Sequence, residues 1–141
     1  MTLSPLDIHI DGASRGNPGE AGFGIHVRAE DGSTQAQLFG YLGKATNNVA
    51  EYEALVQALR WALARGATSV RVFSDSELVV RQVNGQYKVK HPAMIPLHRQ
   101  ASELLRRFTS SSVTHVRREQ NREADRLANQ ALDERRSSLE G

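Results

Sequence analysis

Apolar and polar residues alternate near the start of the chain. Leu6, Ile8 and Ile10 fall on one face, and Asp7, His9 and Asp11 on the other. A period of two marks a half-buried strand, here over residues 6–11. Gly12 to Gly22 is rich in Gly, Pro and Asn and reads as a turn region. Strand patterns return over 23–28 and 35–42, separated by the hairpin signal Asp31-Gly32. Three strands joined by short turns predict an antiparallel meander.

The period then changes. Val49, Tyr52, Leu55, Val56, Leu59 and Leu63 share one helical stripe, which Gly66 ends. Val70 to Phe73 is a short apolar strand. A short helix follows over 77–83, stopped near Asn84-Gly85, and Pro92 and Pro96 mark a connection. A third helix is expected over 97–108, a fifth strand over 113–116, and a last helix carrying Ala124, Leu127, Ala128, Ala131 and Leu132. The tail from about Arg135 is polar and is expected to fray. A strand, crossover helix and strand imply parallel, right-handed pairing. The expectation is therefore one α/β domain over residues 1–141. Its mixed five-stranded sheet has three antiparallel and two parallel strands, strand one central, and helices on both faces.

Composition narrows the chemistry. With 141 residues the chain can bury a core without staples, and the absence of cysteine excludes disulfides and thiolate zinc sites. No apolar run approaches the roughly 18 residues that span a bilayer, and no signal peptide opens the chain. The expected setting is cytoplasmic, without membrane contact, and the expected state is a monomer. Net charge is +2, unevenly spread. Residues 78–118 hold Arg81, Lys88, Lys90, Arg99, Arg106, Arg107, Arg117 and Arg118 against the single acid Glu103. That stretch is +7 and the remainder −5. A basic region beside an acidic one suits a polyanion held in one place and processed in another.

Four carboxylates stand at element boundaries or stripe flanks: Asp11, Glu51, Asp75 and Asp125. Each has an ordinary explanation. Asp11 could form a turn with Gly12. Asp75 could sit in a helix first turn capped by Ser74 and Glu77. Glu51 could close a cap begun by Asn48. If strands one and four are parallel neighbours, however, Asp11 and Asp75 leave the same edge of the sheet, where α/β folds place their sites. The flanking acids of the two helices can reach that edge. Carboxylates gathered there repel one another unless divalent cations neutralise them, and paired metal ions are a means of cleaving phosphodiesters.

The motifs DGASRGNPGEAG, TNNVAEYEAL, SDSELV and NREADRLANQA resemble type 1 ribonuclease H, in family order and over nearly the whole chain. The resemblance implies the ribonuclease H fold and divalent-metal hydrolysis of the RNA strand of RNA/DNA hybrids. It implies Asp11, Glu51, Asp75 and Asp125 as ligands of two Mg²⁺ or Mn²⁺ ions. It also implies substrate contacts from Ser14, Asn17, Thr46, Asn47, Asn48 and Glu77. Small polar side chains suit contacts to the 2′-hydroxyl, which distinguishes RNA from DNA. Double-stranded RNA is a second candidate substrate.

Two departures from the family stand out. The basic protrusion of many members is replaced by the short segment NGQYKVKHPAMIPLHRQ, which moves the expected backbone contacts to Arg81, Lys88 and Lys90. The loop before Asp125 carries Arg118 where many members carry a histidine. A guanidinium there can hold phosphate but cannot act as a base; paired with Glu119 or Glu123 it would be an ordinary surface arginine. His115, on the preceding strand, is expected to serve the fold. Three rival readings are a silent nucleic-acid-binding module, a related transferase or exonuclease, and a small-molecule phosphohydrolase. Binding alone needs no clustered acids, which disfavours the first. The hybrid-reading motifs disfavour the second and the basic segment the third.

Overall fold

The computed structural model describes residues 5–138. Leu6, Ile8 and Ile10 are completely buried, as their alternation requires. They lie on β1 (Leu6–Gly16), which pairs antiparallel with β2 (Gly19–Arg28); β2 pairs in turn with β3 (Thr34–Ala45). After α1 (Asn47–Ala64) the chain returns through β4 (Ser69–Ser74), parallel to β1. Helices α2 (Glu77–Val83) and α3 (Ile95–Leu105) precede β5 (Ser110–His115), which is parallel to β4. A 3₁₀ turn over Arg118–Gln120 leads into α4 (Arg122–Glu134). The sheet order is β3-β2-β1-β4-β5, so β1 is central.

The two faces of the sheet are built differently. On one, Leu55, Val56 and Leu59 of α1 and Ala101 and Leu104 of α3 join the inward residues of β1, β2 and β4 in a single apolar core. Burying a side chain of this size contributes about 1.5–3 kcal/mol. On the other, α4 lies against β2 with small residues between them. A methyl added at Gly24 would run into the Ala124 carbonyl. Leu127 and Ala131 pack there on Phe39 of β3.

Several boundaries differ from the sequence pattern. Gly12 to Gly22 is not a turn region. Strand pairing continues unbroken to Gly16↔Gly19, and only Asn17 and Pro18 turn. The glycines there serve close approach as well as turning: a Cβ at Gly12 would collide with the backbone of Glu51. The third helix begins at Ile95, with Pro96 tolerated in its first turn, and ends at Leu105. Phe108 lies beyond it but remains buried. Thr46, not Asn48, caps α1 by accepting the Val49 N–H, and Ser76, not Ser74, caps α2. Arg135 to Ser138 do not fray. Ser138 N–H donates to the Phe39 carbonyl, and the Ser137 and Ser138 hydroxyls accept from the N–H groups of Tyr41 and Phe39. The expectation for 139–141 lies outside the described residues. No helix among the described residues is long and apolar enough to cross a membrane.

Candidate active site

Parallel register brings the first two acids together. Ile10 of β1 pairs with Ser74 of β4, so Asp11 and Asp75 leave adjacent strands at the same level. Glu51 comes from α1, whose start presses against β1 because Gly12 has no side chain. The Gly12 N–H donates to Glu51 Oε1 at 2.8 Å, and the Ser74 hydroxyl to Oε2 at 2.9 Å. Glu51 is thereby fixed while only 3% exposed. One oxygen each from Asp11, Glu51 and Asp75 lies within 4.8 Å of the others. Asp125, from α4, lines the same cavity, and its charge also bears on Asp11.

Such crowding carries an electrostatic cost. Burial pushes the Asp11 carboxyl far above the usual carboxylate range, and the negative charges of Glu51 and Asp75 push it further. Burial also raises Glu51, partly offset by its bonds from Gly12 and Ser74. A carboxyl that keeps its proton can bridge to Asp125, and a cation placed among the oxygens would replace that proton. The donor set, all hard oxygen, fits Mg²⁺ or Mn²⁺.

The acids open into a cavity of about 770 Å³. Of the other expected residues, Ser14, Asn47, Asn48 and Arg118 line it. The rest are placed elsewhere. Thr46 caps α1. Asn17 accepts the Asn47 N–H through its Oδ1 and so orders the loop beside the cavity. Glu77 is engaged by Arg81. Lys88 borders a separate groove with Tyr87 and Ile95, and Lys90 is exposed without lining the cavity. Among the described residues Arg118 has no ion-pair partner, since Glu123 is taken by Arg126. The expected structural role of His115 is corrected. It is exposed at the end of β5, in register with Ser74, and borders the cavity.

Sequence reasoning missed three supporting residues. Ser74, buried between β1 and β5, holds Glu51 and accepts the Ser76 N–H. Asn121, 1% exposed, donates to the Ile10 carbonyl at 2.8 Å, while its own carbonyl accepts the Asp125 N–H. It therefore ties the start of α4 to β1 one residue from Asp11. Asn129 donates to the Asp125 carbonyl and lines the cavity. An Asn four residues before a candidate acid on a helix was a readable signal. Ser74 offered none beyond its place before Asp75.

Known proteins share this fold. Residues 9–131 match the family described as reverse transcriptase-like. The chain is 48% identical over 127 residues to the bifunctional protein Rv2228c of Mycobacterium tuberculosis, covering 89% of this chain and 35% of that protein. It thus spans about a third of that relative's length. The crystal structure of RNase H1 from Halobacterium salinarum superposes with a TM-score of 0.88 at 42% identity, covering 92% of this chain and 98% of that one. LC11-RNase H1, solved in complex with RNA/DNA hybrid, gives 0.87 at 40% identity, with the same coverage of both chains. With the fold, the acidic cluster and these relatives in agreement, the chain belongs to the reverse transcriptase-like family and, within it, to the type 1 ribonucleases H.

Proposed function

We propose that the protein hydrolyses the RNA strand of RNA/DNA hybrids, leaving 5′-phosphate and 3′-hydroxyl ends. The observation that carries this reading is the convergence of Asp11, Glu51 and Asp75 within 4.8 Å in a cavity that Asp125 also lines. The binding of RNA/DNA hybrid by LC11-RNase H1 adds support.

Asp11, Glu51, Asp75 and Asp125 would hold two divalent cations, Mg²⁺ or Mn²⁺. Cations bound there supply the positive charge that eases deprotonation of water and offsets charge on the leaving oxygen. The protein's own residues do the rest. Gly12 and Ser74 fix Glu51 so that its carboxylate does not reorganise when charge develops. Ser14, Asn47 and Asn48 present small polar groups to the cavity, suited to a ribose edge and the adjoining phosphate. Arg118, unpaired at the rim, is placed to steady a phosphate near the point of cleavage. Glu77, Lys88 and Lys90 lie outside the cavity and would meet the duplex farther along its backbone. Asn17 and Thr46 act on the substrate only through the α1 start that they order.

One assay tests the reading. Labelled RNA/DNA hybrid, duplex DNA and duplex RNA are each incubated with Mg²⁺, Mn²⁺ or EDTA. Cutting of the hybrid's RNA strand with either metal, and none in EDTA, is the expected result. Equal cutting of duplex DNA, or hybrid cutting that survives EDTA, refutes it.

A further inference from the structure

Gln82 and Tyr52 are buried and line no part of the active-site cavity. The Tyr52 hydroxyl donates to Gln82 Oε1 at 2.7 Å, which leaves the Gln82 amide nitrogen free to donate elsewhere. That nitrogen reaches the Lys88 carbonyl at 3.3 Å. The Gln82 main-chain carbonyl accepts the Gly85 N–H, and His98 Nε2 donates to it at 3.2 Å. One glutamine of α2 therefore joins α1, the chain beyond α2, and α3.

Residues 88–90 form no helix or strand. Their neighbours fix them instead. Lys88 is tied at its carbonyl, and Val89 packs against the cluster of Tyr52, Val79 and Met94. Lys88 and Lys90, on either side of that contact, are exposed. Just upstream, the N–H groups of Gln86 and Tyr87 both donate to the Arg81 carbonyl, and the Arg81 guanidinium lies 5.4 Å from the centre of the Tyr87 ring. The chain is thus folded back on α2 with two basic side chains left outside.

Glu51 and Tyr52 are consecutive on α1. One enters the acidic cluster and the other ends on Gln82. The same helical turn therefore fixes both the acids and the lysine segment. Lysines on a slack segment lose backbone and side-chain freedom when they bind a duplex. Lysines on a segment already held lose less, and the difference appears in affinity.

We infer that Gln82 is a positioning residue for the substrate. Through Tyr52 and the Lys88 carbonyl it holds residues 88–90 so that Lys88 and Lys90 meet the hybrid backbone at a set distance from the acids. The inference rests on the proposed function, which places both lysines on the duplex, and assigns Gln82 to affinity rather than to the chemical step.

The test compares the full chain as wild type, Gln82→Met, Lys88→Ala with Lys90→Ala, and the triple variant. Gln82→Met keeps the length of the side chain and removes both of its hydrogen bonds. Melting temperature and steady-state cleavage in Mg²⁺ are measured for each. Binding of fluorescently labelled hybrid is measured with Asp75→Asn added to each. Gln82→Met should weaken binding about fivefold, the equivalent of about 1 kcal/mol. It should raise KM to match while kcat stays within about twofold. Where both lysines are absent, Gln82→Met should weaken binding no further, although its effect on melting temperature persists. A purely structural residue would act equally in both backgrounds. If Gln82→Met does not fold, Tyr52→Phe, which removes one hydroxyl, carries the same comparison with a smaller expected loss. The inference is overturned if the folded variant binds as wild type does, if its loss is undiminished without the lysines, or if kcat falls while KM holds. Hybrid that wild type binds but does not cut refutes the proposed function alone, and the binding comparison still decides this inference. Absence of hybrid binding by wild type overturns both.

Discussion

The two faces of the sheet solve different problems. Beneath α1 and α3, branched apolar side chains fill the space between helix and strand, and the core is wholly inaccessible at Leu55 and Leu59. Beneath α4, glycine and alanine let backbones touch, and polar groups lie in the interface: His9, His26, Asn121 and the Asp11–Asp125 pair. The first face stabilises the fold through volume. The second gives up much of that gain so that α4 comes close enough to place a carboxylate against β1. A molecule of this size can carry a destabilising acidic site because the opposite face compensates.

The sharpest way to separate the faces is to remove one acid. Asp75→Asn should abolish cleavage, a loss of about 10³-fold or more and so about 4 kcal/mol in barrier, while hybrid binding and melting temperature stay near wild type. Turnover near wild type in that variant would dismantle the site assignment. Leu59→Ala attacks the other face. It should cost about 2–5 kcal/mol of stability by leaving a cavity, read by urea denaturation, with turnover per folded molecule nearly unchanged. Gly24→Ala, an addition of one methyl, should cost about 1–3 kcal/mol by overpacking. Unlike Leu59→Ala it should also lower turnover of the folded protein, because α4 must move away from β1. If Gly24→Ala lowered stability alone, α4 spacing would have no part in activity.

A smaller effect has the opposite sign. Asp11 has a folded-state pKa above its unfolded value of about 4. The unfolded chain releases this proton first as pH rises, so the metal-free protein should lose stability from about pH 4 upward. Asp11→Asn removes that loss. In EDTA it should be more stable than wild type at pH 7, with the difference shrinking toward pH 4, while being inactive. Thermal melts at several pH values measure this, and Mg²⁺ should narrow the gap by neutralising the wild-type cluster. The smallest expected change is Arg118→Ala, about tenfold in turnover or about 1.4 kcal/mol. His115→Ala is its companion. A loss of turnover from His115→Ala in a folded protein, with Arg118→Ala silent, would transfer the rim role to the imidazole.

Patterning along the chain determined a good deal. Alternation in Leu6-Ile8-Ile10 and the stripe from Val49 to Leu63 specified which faces are buried, because a strand repeats every two residues and a helix every 3.6. The strand–helix–strand order specified parallel pairing of β1 with β4, and so placed Asp11 and Asp75 on one edge. Gly12 to Gly22 was misread as a turn because composition shows that glycine is needed, not whether it turns the chain or admits a neighbour. At Gly12 and Gly24 it admits a neighbour, and that neighbour is distant in sequence.

Tertiary structure alone decided the remainder. Ser74 reaches Glu51 across 23 residues of sequence, and Asn121 reaches Ile10 across 111. Ser137 and Ser138 close on β3, and His115 emerges at the cavity rim. Local sequence encodes the type of element and the side it buries. It does not encode which polar atoms meet once elements pack, because a hydrogen bond depends on a few tenths of an ångström set by every contact between the two backbones.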